Sequence, residues 1–488
     1  MATSRRTFLK DATRTWLAAG LTAPAINRAP QKKRPHIILI MADDMGFSDI
    51  GCYGSEIATP NLDRLSKEGL RFTQFYNAAR CCPSRAALIT GLYQHQAGIG
   101  HMDDNLHVPA YQGDLNNRCV TIAEALQAGG YQTAMTGKWH LTPPTESKHN
   151  WPIQRGFQRF FGSLRGGDYY NPPFLIRGNT PIEALEGFYY TDEISRTAAE
   201  FVREMGRARQ QPFFLYVAFN APHWPLHALY ADVAKYQGKY LKGWDSVREA
   251  RYRRLIELGI ITKHCPLSPR DQRVTAWTDV PEKEKATWDL RMAVYAAQVD
   301  RMDQGIGHIL HALKESKAEE NTLVMFLSDN GASDEVVERS KPGTVIGQKG
   351  SFASAGLPWG NVSNTPFRRY KAQMHEGGSA TPFVVHWPAG IKHGRLIDQP
   401  GHIMDIMPTC LDAASVPYPR SYKSQKILPL EGKSLLPIFQ GKARREHEAL
   451  FWEHEGNRAV RQGKWKLVSR FRNKWELHDL AAGRTELN

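Results

Sequence analysis

The chain predicts an α/β fold: a large, mostly parallel sheet plus a small antiparallel C-terminal subdomain. Three observations carry this. Residues 36–42, His-Ile-Ile-Leu-Ile-Met-Ala, form a continuous apolar run, the pattern of a parallel strand buried on both faces. Strand-like and helix-like segments then alternate to about residue 414, as in a sheet with crossover helices. From about residue 447 the pattern changes to four short strand-like segments at hairpin spacing.

In chain order, the run 36–42 ends directly in Asp43-Asp44. Thr59-Pro60 starts a helix carrying Leu62, Leu65 and Leu70, because proline is tolerated in a first helical turn. Residues 71–76 read as a strand. Cys81-Cys82-Pro83-Ser84-Arg85 follows and leads into the apolar run 86–91. Pro83 and Ser84 suit a helix start, with serine a good cap. Residues 120–128 are helical, with Gly129-Gly130 as a stop, and 131–135 form a strand leading into Gly137-Lys138-Trp139-His140. Residues 191–206 form an amphipathic helix. The strand 212–219 precedes Asn220-Ala221-Pro222-His223.

Residues 228–285 are charged and less regular. Residues 286–317 read as a long helix or a helix pair, with Gly305 and Gly307 as the expected break. The strand 322–327 runs into Ser328-Asp329-Asn330-Gly331. Residues 333–362, rich in Gly and Ser, read as a loop; 381–386 form a further strand and 402–414 a helix. The closing strands are expected at 449–454, 457–461, 465–470 and 475–479. The organisation predicted is a leader and linker at 1–34, a catalytic domain at 35–446 and an antiparallel subdomain at 447–488.

Composition is that of a globular protein, and no apolar run is long enough to span a bilayer. The formal charge is +14, but residues 1–34 hold eight basic residues and one acidic, half of that excess. The remainder suits an anionic substrate. No basic stripe is interleaved with aromatics, so a nucleic-acid role has only net charge in its favour. The six cysteines form no CxxC pair, which excludes a disulfide scaffold and a zinc ribbon.

Within the leader, Ser4-Arg5-Arg6-Thr7-Phe8-Leu9-Lys10 resembles the twin-arginine export signal. An apolar stretch at 15–21 and a small-x-small site at Ala23-Pro24-Ala25 follow. That resemblance implies export of a folded protein to the periplasm or beyond, with any side-chain modification completed first.

The polar clusters share one property. Asp43-Asp44, Lys138 with His140, His223, and Asp329-Asn330 each lie at the carboxyl end of a predicted strand, the edge where open α/β sheets form their ligand crevice. Singly, each has a plainer reading: a cap, a solvated cation, a satisfied histidine, a turn. Cys81 and Cys82 could be buried thiols or half of a disulfide, although a helix start favours anions and lowers thiol pKa. Together, three carboxylates and an amide are hard oxygen ligands suited to Ca²⁺ or Mg²⁺. Two histidines and several basic groups around that ion make an oxyanion pocket in which protons exchange near neutral pH.

Cys81-Cys82-Pro83-Ser84-Arg85 with Thr90-Gly91 resembles the first signature of the type I, formylglycine-dependent sulfatases. Gly137-Lys138-Trp139-His140-Leu141 resembles their second signature. Asn364-Thr365-Pro366-Phe367-Arg368-Arg369-Tyr370-Lys371, with Glu376-Gly377-Gly378, is similar to their late lysine motif. Residues 91–98 and 243–259 look most like bacterial arylsulfatases.

The resemblance implies an alkaline-phosphatase-like sandwich and hydrolysis of a sulfated small molecule or glycan. A maturation enzyme would oxidise Cys81 to formylglycine, whose hydrate attacks sulfur with one hydroxyl and expels sulfate with the other. By the same resemblance Asp43, Asp44, Asp329 and Asn330, with residue 81, bind Ca²⁺, favoured over Mg²⁺. Arg85 and Lys138 orient the hydrate, His140 is the base for elimination, and His223 and Lys371 hold sulfate, one of them protonating the leaving oxygen. Asp168 would face the organic part of the substrate. Many relatives continue past the position where this chain stops, at Thr485-Glu486-Leu487-Asn488, so a less covered last strand is expected. The runner-up activity is a phosphodiesterase or phosphonate monoester hydrolase of the same superfamily. An inactive glycan-binding module would lack a nucleophile or a ligand, and none is missing.

Overall fold

The structure, a computed structural model, describes residues 33–145, 147–208 and 211–487. The twin-arginine motif and the expected cleavage site lie outside these residues. Arg34–Asn488 forms one compact unit.

The first strand, β1 (His36–Ala42), is the centre of an 11-stranded sheet, and its residues Ile37 to Ala42 are fully buried. A strand covered on both faces has no polar side to present, hence the unbroken apolar run. The sheet continues with β2 (Leu70–Tyr76), β3 (Gln132–Lys138), β4 (Arg159–Ser163), β5 (Leu175–Arg177), β6 (Thr180–Pro181), β7 (Phe213–Ala218), β8 (Thr322–Ser328), β9 (Ala380–His386), β10 (Arg395–Ile397) and β11 (Gly401–His402). Its order is β10-β2-β9-β8-β1-β7-β3-β4-β5-β6, with β11 also on β2. Strands β8, β1, β7, β3 and β4 are parallel, while β9 runs antiparallel to both β8 and β2. Register aligns the parallel ends: Ala42 faces Ser328, Met41 faces Ala218, and Ala218 faces Gly137.

A two-stranded ribbon, β12 (Ser421–Tyr422) and β13 (Gln425–Lys426), precedes the antiparallel sheet of β14 (Leu450–His454), β15 (Asn457–Gln462), β16 (Trp465–Ser469) and β17 (Glu476–Asp479). This last sheet is tied into the large one by buried ions. Glu376 lies 2.9 Å from Lys466 and 2.8 Å from Arg484, and Glu486 lies 3.0 Å from Lys466.

Four expectations are corrected. Gly305 and Gly307 do not break a helix, because Glu282–Glu315 is continuous over 34 residues. A Cβ on Gly305 would stand 2.0 Å from Ser195 Oγ and one on Gly307 2.8 Å from Asn61, so both glycines admit neighbouring helices. Leu70 opens β2 opposite Val385 rather than closing the helix Pro60–Glu68. The stretch 333–362 is not all loop, since Leu357–Ser363 is helical with Pro358 in its first turn. The irregular region 228–285 also contains a helix, Trp244–Glu257.

Candidate active site

Cys81 is the first residue of the helix Cys81–Thr90, and extended Arg80 caps it without a side-chain bond. The helix therefore begins before Pro83, and Ser84 is not its cap. Ser84 Oγ instead accepts from Ala78 N–H at 2.9 Å, pinning the segment that leaves β2. Both thiols are buried. They are not equivalent: contact with the Cys82 thiol, and the charges of Lys138 and His140, draw Cys81 well below the usual thiol value against the effect of burial. Burial pushes Cys82 well above it.

The parallel strand ends deliver the remaining groups to the same edge. Lys138, the last residue of β3, donates to Asp43 Oδ2 at 2.6 Å. Its neighbour Gly137 (φ 101°) could not carry a Cβ, which would meet Ala218 O at 1.9 Å, so glycine here lets β3 and β7 close up beside the lysine. Asp44 and His140 both hold left-handed backbone, φ 62° and 56°, a conformation costly for residues with a Cβ and common at functional sites. Asp44 Oδ2 accepts from Lys371 Nζ at 2.8 Å, and His223 Nε2 stands 3.4 Å from that nitrogen. The carbonyl of His223 accepts from Tyr169 OH at 2.9 Å, which fixes its loop. Asp329 Oδ2 receives Arg85 Nε at 3.1 Å and Nη2 at 2.8 Å, and Arg85 Nη1 donates to Lys138 O at 3.0 Å. Arg85 thus acts first on the carboxylate and on the strand end, a positioning role the motif alone did not reveal.

Electrostatically the site is a buried carboxylate cluster held by cations. Burial opposes charge on Asp43, yet Lys138, His223 and Arg85 keep its carboxyl below the ordinary value. Burial and the Asp43 charge push Asp329 well above it. Two close carboxylates driven apart in this way are relieved by a cation. The oxygen inventory fits one: Asp43 Oδ1 and Asn330 Oδ1 are buried without a hydrogen-bond partner, while Asn330 Nδ2 donates to Asp44 Oδ1 at 2.7 Å. The open oxygens of Asp43 and Asn330, with the adjoining carboxylates of Asp44 and Asp329 that now accept hydrogen bonds, make a hard-oxygen set that could hold a divalent ion of the Ca²⁺ or Mg²⁺ type. Burial, reinforced by Lys138, lowers the pKa of His140 and keeps it neutral. Asp44 and position 81 keep Lys371 charged although burial acts the other way.

The sulfatase family pattern matches residues 35–416. The chain belongs to the sulfatase family. A second pattern, N-sulphoglucosamine sulphohydrolase, C-terminal, matches residues 368–488. An arylsulfatase of Klebsiella aerogenes is 35% identical over 448 residues, covering 85% of this chain and 94% of that protein. An uncharacterized sulfatase of Schizosaccharomyces pombe is 33% identical over 511 residues, covering 95% and 91%. The crystal structure of Ps i-CgsB in complex with k-i-k-neocarrahexaose superposes with a TM-score of 0.66 at 27% identity, covering 92% and 87%. As a sulfatase the protein is a sulfuric ester hydrolase on an alkaline-phosphatase-like fold, in a family that generally uses formylglycine and a divalent metal. Among the described residues no helix is long and apolar enough to cross a membrane.

The candidate site contains groups that the sequence did not flag. Met102 Sδ lies 3.9 Å from Cys81 Sγ, on a loop without periodicity. Glu335 stands 3.7 Å from Lys371 and accepts from Trp224 Nε1 at 2.9 Å; it lies in the Gly/Ser-rich stretch read as a loop. Asp168, expected to face the organic part of the substrate, is engaged locally through one oxygen. Its Oδ1 accepts from Tyr170 N at 2.7 Å and Asn171 N at 3.0 Å, so that oxygen closes its own turn.

Proposed function

We propose that this sulfatase cleaves aryl or sugar sulfate esters at position 81, with Cys81 converted to formylglycine and a divalent ion, calcium ahead of magnesium, held by Asp43, Asp44, Asp329 and Asn330. One observation supports the reading above all. The Cys81 helix start shares one sheet edge with two buried lysines, two histidines and a carboxylate cluster whose Asp43 Oδ1 and Asn330 Oδ1 are open.

When bound, the ion would supply Lewis-acid polarisation of an oxygen at residue 81 and neutralise the surrounding carboxylates. The modified residue would supply an oxygen nucleophile and a second hydroxyl that lets sulfate leave. The chain's own residues do the rest. Lys371 and His223, 3.4 Å apart, bind the sulfate oxygens, and one of them gives a proton to the leaving oxygen. Lys138, anchored on Asp43, offsets charge developing beside residue 81. His140, neutral through burial, accepts the proton released during elimination. Arg85 holds Asp329 in place. Maturation before twin-arginine export, with the working enzyme in the periplasm or secreted, is the biological setting proposed from Ser4–Lys10.

The test is turnover of p-nitrophenyl sulfate against the corresponding phosphate and phosphonate esters. Dominant sulfate turnover is expected. A sulfate rate below the other two would favour the phosphonate or phosphodiester reading.

A further inference from the structure

Beside Lys371 opens a cavity of about 230 Å³ that also meets Arg80, Glu335, Glu455 and Arg470. Arg80 precedes the nucleophile position, and Arg470 directly follows β16, so the pocket joins the catalytic helix to the C-terminal sheet. Both guanidiniums are partly buried. Neither has a carboxylate partner among the described residues; the polar neighbour of Arg80 is Met102 Sδ, 3.3 Å from Nε.

The acids of this cavity are already engaged. Glu335 accepts from Trp224 and from Ser333 Oγ at 2.8 Å and lies near Lys371. Asp334 pairs with Arg273 at 3.1 Å. Glu455 lies 3.0 Å from His101 Nε2 with its side chain about half exposed at the rim. Position 81, Glu335, Asp44 and Glu455 support the charge of Arg80 at longer range against burial, but neither guanidinium of the cavity has an ion pair of its own among the described residues. A partly buried guanidinium with no ion-paired carboxylate presents a fork suited to a planar or tetrahedral oxyanion.

We propose that this cavity is a subsite for a second anionic group, a sulfate or a carboxylate, on the leaving-group side of the substrate, so that the preferred substrate is a multiply charged acidic saccharide rather than a neutral aryl or steroid sulfate. The inference rests on the sulfate-ester reading of position 81. Lys371 belongs to both regions, so one sulfate at the reacting centre and a second anion beside Arg80 and Arg470 are held within reach of one sugar unit or its neighbour.

The experiment measures sulfate release from three sugars: N-acetylglucosamine 6-sulfate, glucosamine N,6-disulfate, and a disaccharide of a uronic acid with N-acetylglucosamine 6-sulfate. The mature wild type should prefer at least one doubly anionic sugar about tenfold in kcat/KM; the second and third sugars separate a sulfate from a carboxylate as the second anion. Arg470→Ala and Arg80→Gln should each lower that preference severalfold, Arg470→Lys should retain part of it, and Glu455→Gln should raise it. A loosened fold would lose all three sugars alike. An equal rate on all three in the wild type, or a preference unmoved by both arginine variants, would overturn the proposal. If the wild type released sulfate from no ester, p-nitrophenyl sulfate included, the hydrolase reading would fall. Calorimetric binding of the disulfate to wild type and Arg470→Ala would then decide the subsite by itself, with equal affinity overturning it.

Discussion

Arg85 grips a single oxygen of Asp329, Oδ2, through both Nε and Nη2, and neither side chain has any solvent exposure. The pair joins the helix that begins at Cys81 to the end of β8, and Arg85 reaches on to the carbonyl of Lys138. Removing one partner of a buried pair leaves the other charge unpaired, at a cost of about 3–5 kcal/mol. Arg85→Ala should therefore lower the urea midpoint strongly and abolish turnover. An unchanged midpoint would show the pair to be dispensable for the fold.

The two adjacent cysteines should behave differently. Cys81→Ser, in a host with a cysteine-type maturation enzyme, should reduce turnover by roughly three orders of magnitude or more. Cys82→Ala should largely spare it, because Cys82 is a buried thiol packed inside the helix. Peptide mass spectrometry of active wild type should find an aldehyde at residue 81. A persistent thiol there in active protein would refute formylglycine.

Removing divalent metal should lower both activity and stability, since Asp43, Asp44 and Asp329 are buried together. Returning calcium at 100 times its dissociation constant should restore about 2.7 kcal/mol of stability. A melting temperature indifferent to chelation and to calcium would count against the carboxylate cluster as a metal site.

Glu376 provides an acid-stability signature. Burial opposes its charge, but Lys466, Arg484 and Arg461 bring its pKa down to about 2, from an ordinary 4.5. A carboxyl with a depressed folded pKa stabilises above its unfolded value and loses that contribution as pH falls through the folded one. Wild type should therefore exceed Glu376→Gln in urea midpoint at neutral pH, with the lead shrinking between pH 4.5 and about 2. A lead constant across that window would exclude the linkage.

Gly305 tests the helix contact. In an exposed helix Gly→Ala gains up to about 1 kcal/mol. Here the added Cβ would stand 2.0 Å from Ser195 Oγ, so Gly305→Ala should instead destabilise by about 1–3 kcal/mol. Adding Ser195→Gly should recover part of the loss. A stabilised Gly305→Ala protein would show that the two helices separate freely.

Much of the fold was legible because its signals are local. The apolar run of β1, the terminal hairpin spacing and the strand-end polar clusters each need only a few neighbouring residues. The errors arose where distant contacts decide. Gly305 reads as a breaker until Ser195 is seen against it, and Ser84 reads as a cap until its oxygen is found on Ala78. The antiparallel setting of β9 is equally invisible in its apolar sequence.

By itself the sequence determined the chemistry on offer: the Cys81 signature, the lysine and histidine motifs, and the oxygen-rich pairs at strand ends. Side-chain type and short spacing suffice for that. Tertiary structure alone decided how these groups are used. It paired Arg85 with Asp329 across 244 positions and Lys371 with Asp44 across 327. It left Asp43 Oδ1 and Asn330 Oδ1 open, and it brought Arg80 and Arg470 to one cavity. The physical reason is that charge pairing and desolvation depend on distance in space, which parallel strand order sets and linear spacing does not.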